Sequence, residues 1–360
     1  MTAVPPVRLL AHAGSAPPPL GPDVFLRHWD FELTLVVTLV LITSLYLLGV
    51  ATLYRRGDAW PIGRTLAFCG GGVGTIAVAT TSWIGAYDTT LFWVHAVQHM
   101  LLAMVAPVFL ALGAPVTLAL RVLPAPPRRG LLRLLHLMPA RVLASPLFSL
   151  PLFVVTLVSL YFTGWYEATL RSEYLHEMQH VHFLLTGCLF FWPIFGIDRL
   201  PGRIPYLARL FAIILTLPVH IIVGLSLMMT PELVAEDYYR SLDRQWGPSL
   251  QRDQYTGGGI IWGTGDIVGL LYVAVLCSQW IRSDEREARR RDRNEDRLSA
   301  AGRDDETELA TYNAYLAQLG ARTSPGGPSR PAAGDRHGVS RPGPATSDPG
   351  QEQARAGRLL

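Results

Sequence analysis

Histidines recur at a four-residue spacing in two apolar stretches of this chain. The stretch EYLHEMQHVHFLLTG contains His176 and His180, and the stretch WVHAVQHMLLAM contains His95 and His99. Side chains four residues apart lie about 40° apart around a helix, so each pair shares a face. Two imidazoles on one face can bind a metal ion at a common point. The spacing therefore predicts two pairs of metal ligands.

Four further side chains have metal-binding chemistry. His182 lies about 200° around a helix from His180 and so faces elsewhere. His220 lies in the stretch PVHIIVGLSLMMT, which ends with Met228 and Met229. Imidazole and thioether ligands suit copper, Cu(I) in particular, while histidines with one carboxylate would also suit zinc. Packing is the alternative role for any one of them, because methionine fills gaps in cores well.

The elements that carry these residues are long apolar blocks. Half of the 360 residues are hydrophobic and 16% are charged, which is too apolar for an ordinary soluble domain. About 20 apolar residues span the hydrocarbon core of a bilayer, and only helices or closed barrels cross it. The sequence predicts an all-α, polytopic membrane helix bundle. Seven blocks without strand-like alternation give its transmembrane helices: 31–54, 65–86, 91–112, 146–165, 177–197, 206–229 and 260–281.

The loops between these blocks differ in charge. All 31 basic residues are arginine; 18 lie in one alternate set of connections and 6 in the other. Because cytoplasmic loops are enriched in basic residues, we expect the N-terminus outside and the C-terminus in the cytoplasm. The histidine pairs then lie in the outer half of the bundle. The predicted regions are a 1–30 external arm, a 31–281 seven-helix domain, a 282–320 charged, partly helical cytoplasmic tail and a 321–360 disordered tail.

Four motifs together resemble the CtaG-like cytochrome c oxidase assembly factors of bacterial plasma membranes. The motifs are HAVQHMLL, EYLHEMQHVHFLLTGCLFFWPIFGID, PVHIIVGLSLMMT and DQYTGGGIIW, in this order within about 28–282. The resemblance implies a seven-span, non-catalytic protein needed to make an active haem–copper oxidase, with a role in handling copper. The matching positions are His95, His99, His176, His180, His182, His220, Met228 and Met229, with Asp253 and Gln254 before the last helix.

The hypothesis from these patterns is a copper site open to the outer side. The four paired histidines bind Cu(I) first, and His220 with the methionine pair forms a deeper site. Expected partners are oxidase subunits, the lipid bilayer and an external copper chaperone, with no nucleic acid. The alternatives are haem held by two axial histidines, a copper transporter, and an assembly scaffold in which the histidines only pack. HEMQH also has the form H-E-x-x-H, so a metalloprotease with Glu177 as general base is a further alternative.

Overall fold

The described residues of the chain fold into helices and contain no strand, as the sequence predicts. This computed structural model describes residues 18–21, 29, 32–198 and 204–323. In chain order the helices are α1 (Leu33–Arg55), α2 (Ile62–Tyr87), α3 (Phe92–Val122), α4 (Ala125–His136), α5 (Met138–Leu143), α6 (Pro146–Phe162), α7 (Trp165–Arg171), α8 (Glu173–Phe195), α9 (Tyr206–Met229), α10 (Glu236–Ser241) and α11 (Leu250–Thr323).

Six of the described helices are long and apolar enough to cross a membrane. They are α1, α2, α3, α8, α9 and the part of α11 up to Arg297. The pair α6 and α7 is bent by 72° and makes a seventh span if it is counted as one. The bend falls where Thr163 is extended and Gly164 follows, inside the block predicted as a transmembrane helix over 146–165. The molecule is a multi-pass membrane protein with six to seven spans.

Helices α2 and α3 are each interrupted. The segments of α2 are Ile62–Thr65, a π-helical stretch Leu66–Val73, Gly74–Thr81 and, beyond a break at Ser82, Trp83–Tyr87. The segments of α3 are Phe92–Met100, a π-helical turn Leu101–Val105, Ala106–Leu112 and, beyond the left-handed Ala114, Pro115–Val122. Single π-turns inside α-helices occur frequently at functional sites, and the one in α3 follows the histidine pair directly.

Helices α3 and α8 lie at the centre of the bundle. In each of these two helices, 56% of the most apolar 18-residue segment is buried, compared with 11% in α1. The two helices cross closely at Gly187, where a methyl group would collide with the backbone oxygen of Ala103 and the ring of Pro107. Small residues permit this kind of close approach between membrane helices. The crossing brings the two histidine-bearing faces toward one another.

Two buried carboxylates fix the ends of α3 segments. The Asp253 carboxylate accepts hydrogen bonds from the backbone N–H groups of Phe92 (3.2 Å) and Trp93 (3.0 Å) at the start of α3. Asp198, after α8, accepts from the N–H groups of Val116 (2.8 Å) and Thr117 (2.6 Å) where the last segment begins. The first N–H groups of a helix have no partner within the helix, so both carboxylates act as caps.

The ends of the chain fall mostly outside the described residues. Contacts divide the chain into two compact units, Met1–Ala288 and Arg289–Leu360. The 282–320 stretch lies wholly within α11 and is helical. The predicted 1–30 arm and 321–360 tail lie outside the described residues, apart from 18–21, 29 and the last turn of α11. Their predicted boundaries stay predictions, as does the orientation of the termini.

Candidate metal centre

A carboxylate and two imidazoles meet in the core of the bundle. One ligand atom from each of Asp88, His176 and His180 lies within 4.8 Å of the other two, and all three residues are buried. Nε2 of His176 lies 3.0 Å from Oδ2 of Asp88, and Nε2 of His180 lies 3.5 Å from the same oxygen. Asp88 follows the last segment of α2, while the histidines lie one turn apart near the start of α8.

Gln98 of α3 orients this cluster. Its amide nitrogen donates to the carbonyl oxygen of Ala79 (3.0 Å) and to Oδ2 of Asp88 (2.6 Å). Both of these atoms only accept, so the amide oxygen must face His180, whose Nε2 lies 2.9 Å away. Nε2 of His180 therefore carries a hydrogen in this arrangement. A cation bound at Nε2 would require the other tautomer, with that hydrogen moved to Nδ1 of the same ring.

Glu177 and Tyr238 complete the surroundings. Oε2 of Glu177 lies 3.4 Å from Nδ1 of His180, on the side of the ring away from Asp88. Burial, with a smaller contribution from the Asp88 charge, raises the pKa of Tyr238 in α10 to about 12. Its hydroxyl therefore stays neutral at physiological pH, and the negative charge next to the imidazoles comes from carboxylates.

His95 lies beside the cluster with its ring nitrogens unused. His95 is fully buried, and neither Nδ1 nor Nε2 of its ring has a hydrogen-bond partner among the described residues. Its ring centroid lies 6.1 Å from that of His176 and 4.8 Å from that of Tyr166. Leaving a buried polar group without a partner costs about 1–3 kcal/mol. This histidine is a second observation that points to a ligand at this place.

His99 and His220 occupy a different part of the bundle. Nδ1 of His99 lies 3.0 Å from the hydroxyl oxygen of Tyr161. Nδ1 of His220 donates to the backbone carbonyl of Thr216 at 2.9 Å. Both residues line a cavity of about 10 Å³ between α3, α6, α8 and α9. The structure therefore places them together, but not with Asp88.

The other predicted ligands lie away from both groups. His182 is exposed on the bundle surface, with Nε2 2.9 Å from Oγ1 of Thr156. Met229 is 80% exposed, and Met228 packs against Gly258 of α11. Of the eight residues predicted to bind metal, the cluster contains His176 and His180, with His95 beside them. The predicted deeper site is not formed in this way, because neither Met228 nor Met229 lines the described cavity that contains His220.

Asp88 is the member of the cluster that the sequence did not predict. It lies in the short 87–90 connection, which contains no arginine and no predicted metal ligand. One signal was available: between Arg64 and Arg121 it is the only aspartate, glutamate, lysine or arginine. A lone ionisable group next to a membrane span is costly and usually functional.

Comparison with known proteins gives the family. The family model described as cytochrome c oxidase caa3 assembly factor (Caa3_CtaG) matches residues 44–283. Uncharacterized proteins of Mycobacterium bovis and Mycobacterium tuberculosis are each 38% identical over 301 residues, which cover 82% of this chain and 45% of the relative. A third, from Mycobacterium leprae, is 36% identical over 310 residues, 84% of this chain and 46% of the relative.

The chain spans less than half the length of the curated relatives that it matches. No solved structure matches it. The family match nevertheless covers most of the helix bundle, including Asp88 and both histidine pairs. The chain belongs to the cytochrome c oxidase caa3 assembly factor family.

Proposed function

We propose that this protein assists the assembly of a haem–copper cytochrome c oxidase by holding a copper ion, its cargo, at the Asp88–His176–His180 cluster. The observation that carries the proposal is the buried convergence of one carboxylate and two imidazoles, with ligand atoms within 4.8 Å of one another. Family membership supplies the link to the oxidase. The role is non-catalytic, and copper leaves by ligand exchange with an oxidase subunit or arrives from an external chaperone.

The donor set favours oxidised copper over the Cu(I) expected from the sequence. The three residues of the cluster offer nitrogen and oxygen donors. Soft thioethers select Cu(I), whereas Cu²⁺ binds most tightly of the divalent first-row metals to nitrogen and oxygen sites. The carboxylate charge also offsets part of the cost of taking a dication out of water. Zinc is the competing metal, with lower affinity at the same ligands.

His95 is the proposed fourth ligand. The two idle ring nitrogens of this buried side chain lie next to His176. Reorienting the His95 ring breaks no hydrogen bond among the described residues, because neither of its nitrogens makes one. Gln98 then acts as a positioning residue, because its amide holds both Asp88 and His180.

The proposed location is the plasma membrane, with the cluster in its outer half. The support is the arginine distribution, with 18 arginines in one set of connections and 6 in the other, which favours an orientation with the start of α8 outside. Copper from the exterior then reaches the cluster without crossing the bilayer. The positions before the histidines are polar, with Glu173 and Ser172 at the start of α8, which suits entry of a hydrated cation.

The haem, transporter and protease alternatives have less support. The described cavity that His99 and His220 share has room for about one water molecule, far too little for a haem. Labelled copper uptake into vesicles tests the transporter alternative. The protease alternative requires Glu177→Gln to abolish peptide cleavage while the metal stays bound. Family membership favours none of the three.

The test is copper binding by the purified full chain in detergent. We expect one tightly bound Cu²⁺, with an electron paramagnetic resonance spectrum that shows coupling to at least two nitrogens. The double variant His176→Ala/His180→Ala loses this ion, whereas the matched control His182→Ala keeps it. Unchanged copper stoichiometry in the double variant would overturn the proposal. In cells, the same double variant yields oxidase with low copper content, and the control yields normal oxidase.

A further inference from the structure

We propose a second metal site in the cavity shared by His99 and His220, a site for a soft monovalent cation of the Cu(I) class. Met100 and Met104 supply its thioether ligands. This second-site proposal rests on the proposed function only for the choice of copper over other soft cations. Its residues differ from those of the Asp88–His176–His180 cluster, so the two sites can be tested separately.

The cavity has the size and the lining of an ion site. Its volume is about 10 Å³, and its walls include both imidazoles and both thioether side chains. A cavity of about 10–15 Å³ on this measure holds roughly one water molecule, so a single ion fits. His99, His220, Met100 and Met104 are all at least 96% buried. Four potential ligands thus face one small enclosed space.

The hydrogen bond of His220 leaves the metal-binding nitrogen free. Its Nδ1 lies 2.9 Å from the carbonyl oxygen of Thr216. A carbonyl only accepts, so Nδ1 carries the hydrogen, and Nε2 of the neutral ring presents a lone pair. Nε2 has no hydrogen-bond partner among the residues that the structure describes. Metal-binding histidines characteristically donate their other N–H to a carbonyl in this way.

His99 is held in a comparable manner. Its ring stacks on that of Phe183, with centroids 4.0 Å apart and planes 2° from parallel. Nδ1 lies 3.0 Å from the hydroxyl oxygen of Tyr161, which can accept a hydrogen from it. Nε2 has no described partner, so it is available as a ligand once Nδ1 is the protonated nitrogen. Tyr161 is therefore a positioning residue for the second site.

The charge of the lining selects a monovalent cation. Neither an acidic nor a basic side chain lines the described cavity, and Asp266 of α11 interacts electrostatically with His220 from outside this lining. Transferring an ion from water into a low-dielectric interior is costly, and the cost grows steeply with its charge. A dication would need a carboxylate here, as the first cluster has in Asp88. Two imidazoles and two thioethers instead match the soft ligands that Cu(I) prefers.

The position of the cavity places it beyond the first cluster along both helices. His99 follows His95 by one turn of α3, and the lining residue Thr186 follows His180 by nearly two turns of α8. At 1.5 Å per residue, these offsets are about 6 and 9 Å. Met104 lies in the π-helical turn Leu101–Val105, a feature that is frequent at functional sites.

The experiment measures Ag(I) and Cu(I) binding by the full chain in detergent, under anaerobic conditions and against a competing chelator. We expect the wild type to bind one Ag(I), and the volume-conserving double variant Met100→Leu/Met104→Leu to bind it at least tenfold more weakly. X-ray absorption of the Cu(I) form shows sulfur scattering that this variant loses. The matched control is Met228→Leu/Met229→Leu, which leaves Ag(I) affinity unchanged.

Two further variants separate the outcomes. Tyr161→Phe lowers Ag(I) affinity by about 10- to 100-fold, the usual effect of losing a partner of a metal ligand, and Asp88→Asn leaves it unchanged. If Cu²⁺ binding fails while Ag(I) binding persists, the proposed function fails and this inference stands. Absence of Ag(I) binding by the wild type, or an unchanged affinity in Met100→Leu/Met104→Leu, overturns the inference and leaves the cavity with a buried water only.

Discussion

Replacing Asp88 by asparagine removes the charge of this side chain and keeps its shape. The carboxylate is fully buried, and its Oδ2 lies 2.6 Å from the amide nitrogen of Gln98 and 3.0 Å from Nε2 of His176. The asparagine carbonyl can still accept both hydrogen bonds. The substitution therefore tests the negative charge next to the imidazoles, with little change in packing.

The magnitude follows from these two hydrogen bonds. A hydrogen bond to a charged group contributes about 1.5–3 kcal/mol and a neutral one about 0.5–1.5 kcal/mol, so each bond loses about 1 kcal/mol. Without metal, we expect Asp88→Asn to lower the free energy of unfolding by about 2 kcal/mol. Loss of a partner of a metal ligand already weakens binding by about 10- to 100-fold. Loss of the ligand charge itself should weaken Cu²⁺ binding by more than about 100-fold, or about 2.7 kcal/mol.

Thermal unfolding in detergent, with and without Cu²⁺, measures both effects. At a free copper concentration of about 100 times the dissociation constant, the wild type gains about 2.7 kcal/mol from binding, and a variant bound 100-fold more weakly gains about 0.4 kcal/mol. The matched control is Asp253→Asn, which changes a buried carboxylate that caps α3 and lies outside the cluster. If copper stabilised Asp88→Asn as much as the wild type, the assignment of this carboxylate as a ligand would be wrong.

Four further outcomes follow from the structure. Copper binding to the neutral rings of His176 and His180 releases no net proton, because each hydrogen moves from Nε2, where it faces an acceptor, to Nδ1 of the same ring; calorimetry in buffers of different ionisation enthalpy counts the protons, and release of about two contradicts neutral rings. Gly187→Ala lowers the free energy of unfolding by about 1–3 kcal/mol through overpacking against α3, seen as a lower thermal midpoint. Asp253→Ala costs about 1–3 kcal/mol, because it leaves two buried N–H groups of α3 without acceptors, yet copper stoichiometry stays at the wild-type value. His182→Ala changes neither stoichiometry nor affinity in equilibrium dialysis, because this side chain lies on the exposed face of α8.

The local rules of the sequence determined the spans and the histidine pairs. Length and apolarity alone identify helices that cross a bilayer, since the bilayer sets the length, and the six to seven described spans confirm this reading. The bend between α6 and α7 was not predictable in the same way, because Thr163 and Gly164 only permit a break. The four-residue spacing correctly put His176 and His180 on one face, since that depends on a single helix.

Tertiary structure decided which histidines share a site. A sequence fixes the angle between residues around one helix axis, but it does not fix how that helix is rotated against its neighbours. The rotation of α3 against α8, set by their close crossing at Gly187, turns His99 toward His220 and away from His180. The fold also brings Asp88 to His176, although the two residues are 88 positions apart in the sequence. Asp88 lies in a connection without a periodic pattern, and the position of such a connection is set only when the helices on both sides of it pack.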